Sequence, residues 1–274
     1  MNRQADKAAV FRELHARARP FLIPNPWDRG SALILESMGF EALATTSLGL
    51  ANMLGQTGVT LRQVLDNCRE ICEATSLPVN ADLENGFADE PREAAKAIRF
   101  ACEHGAVGGS IEDSTGNSAK PIYDFNLAVE RVQAAVEVAR SLPVPFMLTA
   151  RAENFLHGRK DMDDTIRRLQ AFEAAGADVL YSPGLHSLAE IRIVTSALKK
   201  PFNVVMGFAD PSITLDQLGD AGVRRVSIGG GLNRVALKAF VDAARQMREG
   251  NFGFITTMAS VAELRSAFQR PSKP

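Results

Sequence analysis

Short apolar segments alternate with longer amphipathic segments along almost the whole chain. Each apolar segment has the length of a β-strand, and the segment after it repeats its apolar positions with a helical period. The pattern therefore predicts eight consecutive strand–helix units. Their strand segments are residues 20–27, 41–47, 78–83, 107–113, 145–153, 177–184, 201–207 and 224–231.

Eight such units favour an α/β fold in which the strands close into a parallel (β/α)₈ barrel of the TIM type. An open doubly wound sheet is the alternative. No linker or low-complexity segment divides the chain, so we expect one domain over residues 1–274. A leading helix (about 3–18) and a trailing helix (about 259–270) lie outside the repeat and are expected to cap the barrel or mediate assembly. Left-handed glycines are predicted at helix ends, at Gly39, Gly105, Gly176 and Gly222.

Composition excludes several classes of function. The net charge of −1 gives no general attraction to nucleic acid or to anionic membranes. No apolar run approaches the roughly 20 residues that a membrane span needs, and the charged N-terminus lacks a signal-peptide core. The three cysteines, Cys68, Cys72 and Cys102, are odd in number and poorly spaced for pairing. We therefore expect buried, reduced thiols in a cytoplasmic protein.

Charged residues follow the apolar strands where the strands end. Asp82 and Glu84 end the third strand segment, and as residues two apart on an extended chain they face one side. Glu112 ends the fourth strand segment and Arg151 the fifth. The carboxyl ends of all barrel strands meet at one mouth, so these side chains are expected to converge there. Gly86 allows the chain to turn sharply after Glu84. The alternative to a shared site is a series of solvated turns.

The converging residue types suggest a specific chemistry. Asp82, Glu84 and Glu112 are oxygen ligands with no matching His or Cys, a set that suits Mg²⁺ or Mn²⁺. Arg151 offers a planar donor fork for a carboxylate or a phosphonate. Its alternative role is a salt bridge to Glu112 or Glu153, and both roles are compatible. A divalent ion beside an arginine fits a small anionic oxo acid whose developing enolate needs stabilisation.

Further polar positions lie on other strand segments. Ser47 ends the second segment, and Asn203 lies on the seventh, where we expect it to contact substrate. The glycine run 229–231 suits either a phosphate cradle or tight packing of the last barrel helix.

Four segments resemble the isocitrate lyase/phosphoenolpyruvate mutase superfamily, and together they extend the resemblance over nearly the whole chain. They read NPWDRGSALILESMGFEALATTSLGLANMLG, NADLENGF, SIEDS and TARAENFLHGRKDMDDTIRRLQAFEAAGAD. The second resembles the D-x-D-x-G-[FY] metal motif, with Glu84 in place of the second Asp. The resemblance implies a (β/α)₈ barrel, usually tetrameric, with a C-terminal helix exchanged between neighbours. It also implies Mg²⁺-dependent chemistry on small 2-oxo or 2-hydroxy acids through an enolate.

The resemblance also implies roles for individual residues. Asp82 matches the direct metal ligand, and Glu84 and Glu112 match residues that hold metal-bound water. Arg151 matches the donor to the substrate carboxylate, and with Glu112 it is a candidate catalytic residue. The pocket for the carboxylate end of the substrate is expected at Ser47, Gly49 and Leu50.

The chain departs from the family pattern in two places and resembles one group of its members in a third. The loop after strand 4, STGNSAKPIYDF, lacks the Cys and His of the family's lyases, which argues against the usual isocitrate and methylisocitrate lyase route. Gly58 stands where members carry an Asp near the metal waters. TGNS (115–118) resembles the T-N-S of phosphonopyruvate-cleaving members, so Asn117 is a candidate catalytic residue, with a simple turn role as its alternative.

Three hypotheses follow. The first is a Mg²⁺-dependent lyase or decarboxylase that cleaves a C–C bond in an oxaloacetate- or malate-like dicarboxylate. The second is a phosphonopyruvate mutase or hydrolase, and the third is a catalytically weak protein that binds a 2-oxo acid. In each case we expect a homo-oligomer, either a dimer or a tetramer.

Overall fold

The computed structural model describes residues 3–269 and contains one sheet of eight parallel strands. In chain order the strands are β1 (Phe21–Leu22), β2 (Leu43–Ala44), β3 (Val79–Asp82), β4 (Gly108–Glu112), β5 (Met147–Arg151), β6 (Val179–Tyr181), β7 (Phe202–Val205) and β8 (Arg225–Ser227). Each strand pairs with the next in sequence from β2 to β8, and β8 pairs with β1. The backbone N–H of Ala44 donates to the carbonyl of Pro24 at 3.1 Å and joins the two outer strands. The predicted (β/α)₈ architecture is confirmed.

Helices connect the strands and surround the sheet. They are α1 (Arg3–Ala16), α2 (Arg29–Ser37), α3 (Ser47–Leu54), α4 (Leu61–Ala74), α5 (Pro91–Glu103), α6 (Phe125–Ser141), α7 (Met162–Ala174), α8 (Leu188–Ser196), α9 (Leu215–Asp220), α10 (Gly231–Arg248) and α11 (Val261–Phe268), with a 3₁₀ turn at Gly253–Thr257. The leading and trailing helices are present, although residue 270, the predicted end of the trailing one, lies outside the described residues. Helix α3 was not predicted as a separate element.

Local sequence accounts for many helix ends. Thr60, Ser187 and Thr214 each begin a helix with a capping box, in which two side chains satisfy otherwise unpaired backbone N–H groups. The four glycines predicted at helix ends all adopt positive φ, between 85° and 105°. The three cysteines are buried and free, as predicted. None of the described helices is long and apolar enough to cross a membrane.

Helix α1 closes the amino-terminal end of the barrel. Its apolar residues Phe11 and Leu14 are fully buried and belong to one cluster with Phe21 and Val107 at the starts of barrel strands. The ring of His15 packs edge-on against Phe11 at 4.6 Å and Phe21 at 4.9 Å between centroids. The leading helix therefore forms the floor of the barrel, opposite the carboxyl ends of the strands.

The floor contains a polar contact between the first helix and the last strand. His15 Nδ1 lies 2.8 Å from the carbonyl of Phe11, and His15 Nε2 lies 3.4 Å from Nη1 of Arg225. Burial, together with the Arg225 charge, lowers the pKa of His15 to about 3. A neutral ring with its proton on Nδ1 satisfies both contacts, because Nε2 then accepts from the guanidinium.

We expect this histidine to make the protein less stable in mild acid. The unfolded chain binds a proton at His15 as pH falls through about 6.5, whereas the folded protein does not until about 3. The free energy of unfolding should therefore fall between these pH values, with a slope from this group approaching about 1.4 kcal/mol per pH unit. Urea titrations from pH 7 to 4.5 should show a smaller slope for His15→Gln than for wild type. The exposed control His186→Gln should keep the wild-type slope, and equal slopes for all three proteins would contradict the expectation.

Candidate active site

Three predicted site residues are the last residues of adjacent strands. Asp82 ends β3, Glu112 ends β4 and Arg151 ends β5, and Glu112 and Arg151 are direct partners in the β4–β5 register. Arg151 Nη1 lies 3.1 Å from Asp82 Oδ1, and its Nη2 lies 3.0 Å from Glu112 Oε2. The strand-end residues thus meet at the carboxyl-terminal mouth of the barrel.

A further carboxylate anchors the same guanidinium. Glu153 Oε1 lies 2.8 Å from Arg151 Nε, and the Glu153 side chain is completely buried. Its second oxygen, Oε2, has no hydrogen-bond partner among the described residues. The sequence indicated Glu153 only as an alternative partner for Arg151. The R-x-E spacing, which puts both side chains on one side of an extended chain, was the available signal.

These contacts fix Arg151 in its ionised form. Burial would lower its pKa, but the Glu112 and Glu153 charges outweigh burial and raise the pKa well above its ordinary value. The guanidinium also lies over the Tyr181 ring, 4.9 Å from the centroid. Its Nε and Nη1 donate hydrogen bonds to Glu153 and Asp82, and its Nη2 makes an ion pair with Glu112 at 3.0 Å. One N–H on each Nη has no acceptor among the described residues.

Asp82 is held by the loop after β2. Its Oδ2 accepts from the backbone N–H of Ser47 at 3.0 Å, and its own N–H donates to Thr45 Oγ1 at 2.8 Å. Ser47 is the first residue of α3, whose N-cap is Thr46. A helix amino terminus attracts a nearby carboxylate, so α3 helps to hold the Asp82 side chain in place. The Ser47 N–H therefore already has a hydrogen-bond acceptor, Asp82 Oδ2.

The N–H groups of Gly49 and Leu50 are occupied inside the first turn of α3. Gly49 donates to Thr46 Oγ1 at 3.2 Å, and Leu50 donates to the Thr46 carbonyl at 3.0 Å. A Cβ atom at position 49 would lie 2.6 Å from Thr46 Cγ2 and 3.1 Å from Trp27 Cβ. Glycine is needed there for close packing, and contact of Gly49 or Leu50 with substrate stays a prediction.

Glu84 stands in a tight turn beyond β3. Its φ of 47° is left-handed, a strained conformation for a residue other than glycine. Its carbonyl accepts from the N–H of Glu112 at 3.0 Å, which joins the ends of β3 and β4. Burial and then the Asp82 charge raise the pKa of Glu84. Gly86 has a φ of 78°, and a Cβ there would lie 2.7 Å from the Ala94 carbonyl oxygen, so the turn predicted at this glycine is confirmed.

The donor set fits a hydrated Mg²⁺ ion. Asp82, Glu112 and Glu153 all contact the Arg151 guanidinium, and Glu84 lies beside them, so four carboxyl groups share one cationic side chain. Burial also raises the pKa of Glu112 well above its ordinary value. Within residues 3–269, no three His, Cys, Asp or Glu side chains form a metal-binding group by themselves. Mg²⁺ commonly keeps several waters and uses one or two protein carboxylates. Asp82 has lone pairs beyond its two contacts and would be the direct ligand, with Glu84 and Glu112 holding water.

Asn203 is brought to the same layer by the sheet register. Arg151 pairs with Tyr181 across β5–β6, and Tyr181 pairs with Asn203 across β6–β7. Asn203 is buried; its Oδ1 accepts from Arg225 Nε at 2.8 Å, and its Nδ2 donates to Ser227 Oγ at 3.1 Å. These side chains line an interior cavity of about 60 Å³ that Asp82 and Arg151 also border. Contact of Asn203 with substrate stays a prediction.

A buried ion-pair network behind the site was not predicted. Asp113 Oδ1 accepts from the N–H of Glu153 at 2.8 Å, and its Oδ2 accepts from Arg168 Nη1 at 3.0 Å. Arg168 Nε also donates to Asp164 Oδ2 at 2.8 Å. Burial raises the pKa of Asp113 to about 7 despite these contacts. The network fixes the backbone that carries Glu153 and therefore helps to orient Arg151.

Other candidates lie outside this cluster. Asn117 is exposed in the turn after β4, where its Oδ1 accepts from the N–H of Ala119 at 2.9 Å. Gly58 is exposed, and a Cβ atom at this position would have no neighbour within 4 Å among the described residues. In the 229–231 run, a Cβ on Gly230 would lie 2.8 Å from Leu48 Cδ2, so tight packing accounts for this glycine.

Known proteins resemble this chain over most of its length. The family model for phosphoenolpyruvate phosphomutase matches residues 11–248. A protein from Burkholderia cenocepacia J2315 that is described as a lyase/mutase has a crystal structure with a TM-score of 0.96 and 51% identity, covering 99% of this chain and 98% of its own.

Two relatives have named activities. The 2-methylisocitrate lyase of Escherichia coli K12 is 30% identical over 78% of this chain and 75% of its own length. The oxaloacetate decarboxylase of Bradyrhizobium diazoefficiens is 29% identical over 82% and 79%. The superfamily consists of Mg²⁺-dependent lyases and mutases that act on small organic acids. The chain therefore belongs to the phosphoenolpyruvate mutase family, within the isocitrate lyase/phosphoenolpyruvate mutase superfamily of enzymes.

Proposed function

We propose that the protein is a Mg²⁺-dependent lyase or decarboxylase that cleaves a C–C bond in a small 2-oxo or 2-hydroxy dicarboxylate, such as oxaloacetate or a malate-like acid. The observation that carries the proposal is the fixed, ionised Arg151 at the barrel mouth, with one uncommitted N–H on each Nη atom among the described contacts. The similarity to an oxaloacetate decarboxylase and a 2-methylisocitrate lyase supports the same class of substrate.

Arg151 would bind the carboxylate of the 2-oxo acid end. Its two free N–H groups lie on different nitrogens, which is the arrangement for a bidentate contact with a carboxylate. The three carboxylates that hold the guanidinium leave it little freedom to rotate. The substrate would therefore meet a donor that is already oriented, which reduces the entropy lost on binding.

Asp82, Glu84 and Glu112 would hold Mg²⁺ and its waters beside this carboxylate. When bound, the ion would stabilise negative charge that develops on the oxo group. The Ser47 N–H keeps Asp82 oriented, and Glu153 keeps Arg151 from turning away. The protein would thus supply fixed charges where the reaction develops charge.

The positions of the three cysteines favour decarboxylation over a cleavage that uses a cysteine as acid or base. Cys68, Cys72 and Cys102 are buried in the helices α4 and α5 outside the barrel, so none of them reaches the mouth. Decarboxylation needs no dedicated acid on the departing side, because CO₂ leaves uncharged.

The phosphonopyruvate mutase or hydrolase activity is the second candidate, favoured by the TGNS sequence at 115–118. A weak 2-oxo acid binding protein is the third, favoured by Gly58. Release of CO₂ from oxaloacetate separates the first candidate from the third, and release of phosphate from phosphonopyruvate identifies a hydrolase.

Replacing Arg151 by lysine should not preserve activity. Lysine keeps the charge but not the fork, so kcat/KM for oxaloacetate should fall by about 30- to 5,000-fold, equivalent to about 2 to 5 kcal/mol. The control is Arg140→Lys, because Arg140 makes a two-point contact with Asp178 on the outer surface. The control should keep wild-type kinetics. A lower Tm for Arg151→Lys with nearly unchanged kcat/KM would assign the residue a purely structural role.

Asp82 should be required for the response to metal. Excess EDTA should abolish activity, and Mg²⁺ or Mn²⁺ should restore it. Adding Mg²⁺ should raise the Tm of the wild-type protein, because a ligand that binds only the folded state stabilises it. Asp82→Asn should lose this rise and several orders of magnitude of activity. The control Asp66→Asn, at an exposed aspartate on α4, should retain both the rise in Tm and the activity. Full activity in excess EDTA would refute metal dependence.

We also propose a cytoplasmic homo-oligomer built from single-domain chains of residues 1–274. Helix α10 and the turn after it expose large apolar side chains, including Val235, Phe240, Phe252 and Met258, each more than half exposed. Apolar surface of this extent is typical of a protein–protein interface. The usual tetramer of the superfamily supports a dimer or tetramer through this face.

Charge placed on this face should dissociate the oligomer. Phe240 is 70% exposed, so Phe240→Glu should leave the barrel folded while it destabilises any contact made there. Sedimentation velocity should give a smaller assembly for Phe240→Glu than for wild type. Ile193→Glu, at an exposed position on α8, is the matched control and should leave the mass unchanged. A wild-type protein that sediments as a monomer would contradict the proposal.

A further inference from the structure

The barrel mouth also contains a serine–histidine pair that the Arg151 cluster does not use. Ser114 Oγ lies 3.1 Å from His157 Nε2. Ser114 follows Glu112 by two residues, just beyond β4. His157 follows β5, and its backbone N–H donates to the carbonyl of Glu153 at 3.1 Å. The pair therefore lies directly beyond the residues that hold Arg151.

The two members of the pair differ in exposure. Ser114 is 7% exposed, whereas His157 is on the surface. The hydroxyl thus belongs to a buried residue, and the imidazole belongs to one that is exposed to water. A buried hydroxyl hydrogen-bonded to an exposed imidazole has the arrangement needed to carry a proton between solvent and a partly closed site.

The other histidines are placed elsewhere. His15 lies in the barrel floor, and His104 follows α5, where its Nδ1 contacts the carbonyl of Phe100. His186 lies in the loop after β6, with its Nδ1 3.0 Å from the carbonyl of Phe208. His157 is the histidine that is coupled to a buried hydroxyl at the mouth.

We propose that Ser114 and His157 deliver the proton that converts the enolate product into its keto form. This inference rests on the proposed C–C bond cleavage. The enolate carbon takes the Ser114 hydroxyl proton and forms a C–H bond as the carbonyl re-forms. The Nε2 proton of the His157 imidazolium moves to Ser114 Oγ, and the neutral imidazole regains a proton from water.

Exchange of the methyl protons of pyruvate in D₂O tests the relay, because it runs the same proton transfer in both directions. The reaction is followed by proton NMR with Mg²⁺ present, and CO₂ release from oxaloacetate is measured in parallel. His157→Ala and Ser114→Ala should each slow exchange by about 100- to 10,000-fold, with a smaller loss of CO₂ release. Added imidazole should partly restore His157→Ala, and Ser114→Thr should retain exchange. His186→Gln is the matched control and should behave as wild type.

The possible outcomes separate the relay from the proposed function. If wild type releases CO₂ from oxaloacetate but His157→Ala exchanges pyruvate protons at the wild-type rate, the relay is wrong and the cleavage function stands. Loss of exchange that imidazole does not restore, together with a lower Tm, would assign the pair a structural role and also overturn the relay. A wild-type protein that neither exchanges pyruvate protons nor releases CO₂ would refute both proposals.

Discussion

The ion pairs of Arg151 determine how the carboxyl end of the barrel is arranged. The guanidinium contacts Asp82, Glu112 and Glu153, which belong to three successive strand ends. Leaving any of these charges buried without a partner would cost about 3 to 5 kcal/mol. The requirement to satisfy one buried cation therefore fixes the relative positions of β3, β4 and β5, and the mouth has a defined geometry before any substrate binds.

The same contacts limit what Arg151 can do. Its Nε–H is committed to Glu153, so a ligand can approach only the side of the guanidinium that carries the two Nη atoms. The Asp113–Arg168 network holds the backbone of Glu153 in turn. The Asp113–Arg168 ion pair thus helps to orient Arg151, because Asp113 holds the backbone of Glu153 and Glu153 holds the guanidinium. These hydrogen bonds leave few alternative arrangements.

The sequence predicted the barrel and the convergence of Asp82, Glu112 and Arg151, because both follow from periodicity and from the shared direction of parallel strands. Other features depend on contacts between residues distant in sequence. Nothing local distinguishes Glu153, a completely buried anchor, from a solvated glutamate at a strand end. The occupied N–H groups of Gly49 and Leu50 follow from a helix that begins at Ser47, and the apolar pattern does not separate this helix from the one after it.

The contact between His15 and Arg225 has a consequence for the order in which the chain folds. It joins the first helix to the last strand, and β1 also pairs only with β8 among the strand ladders of the described chain. Contacts between residues so far apart close a long loop and form late. During synthesis, α1 therefore cannot complete its contacts in the barrel floor until β8 has emerged from the ribosome. Until then, Phe11 and Leu14 are exposed apolar residues, and such transient exposure favours aggregation.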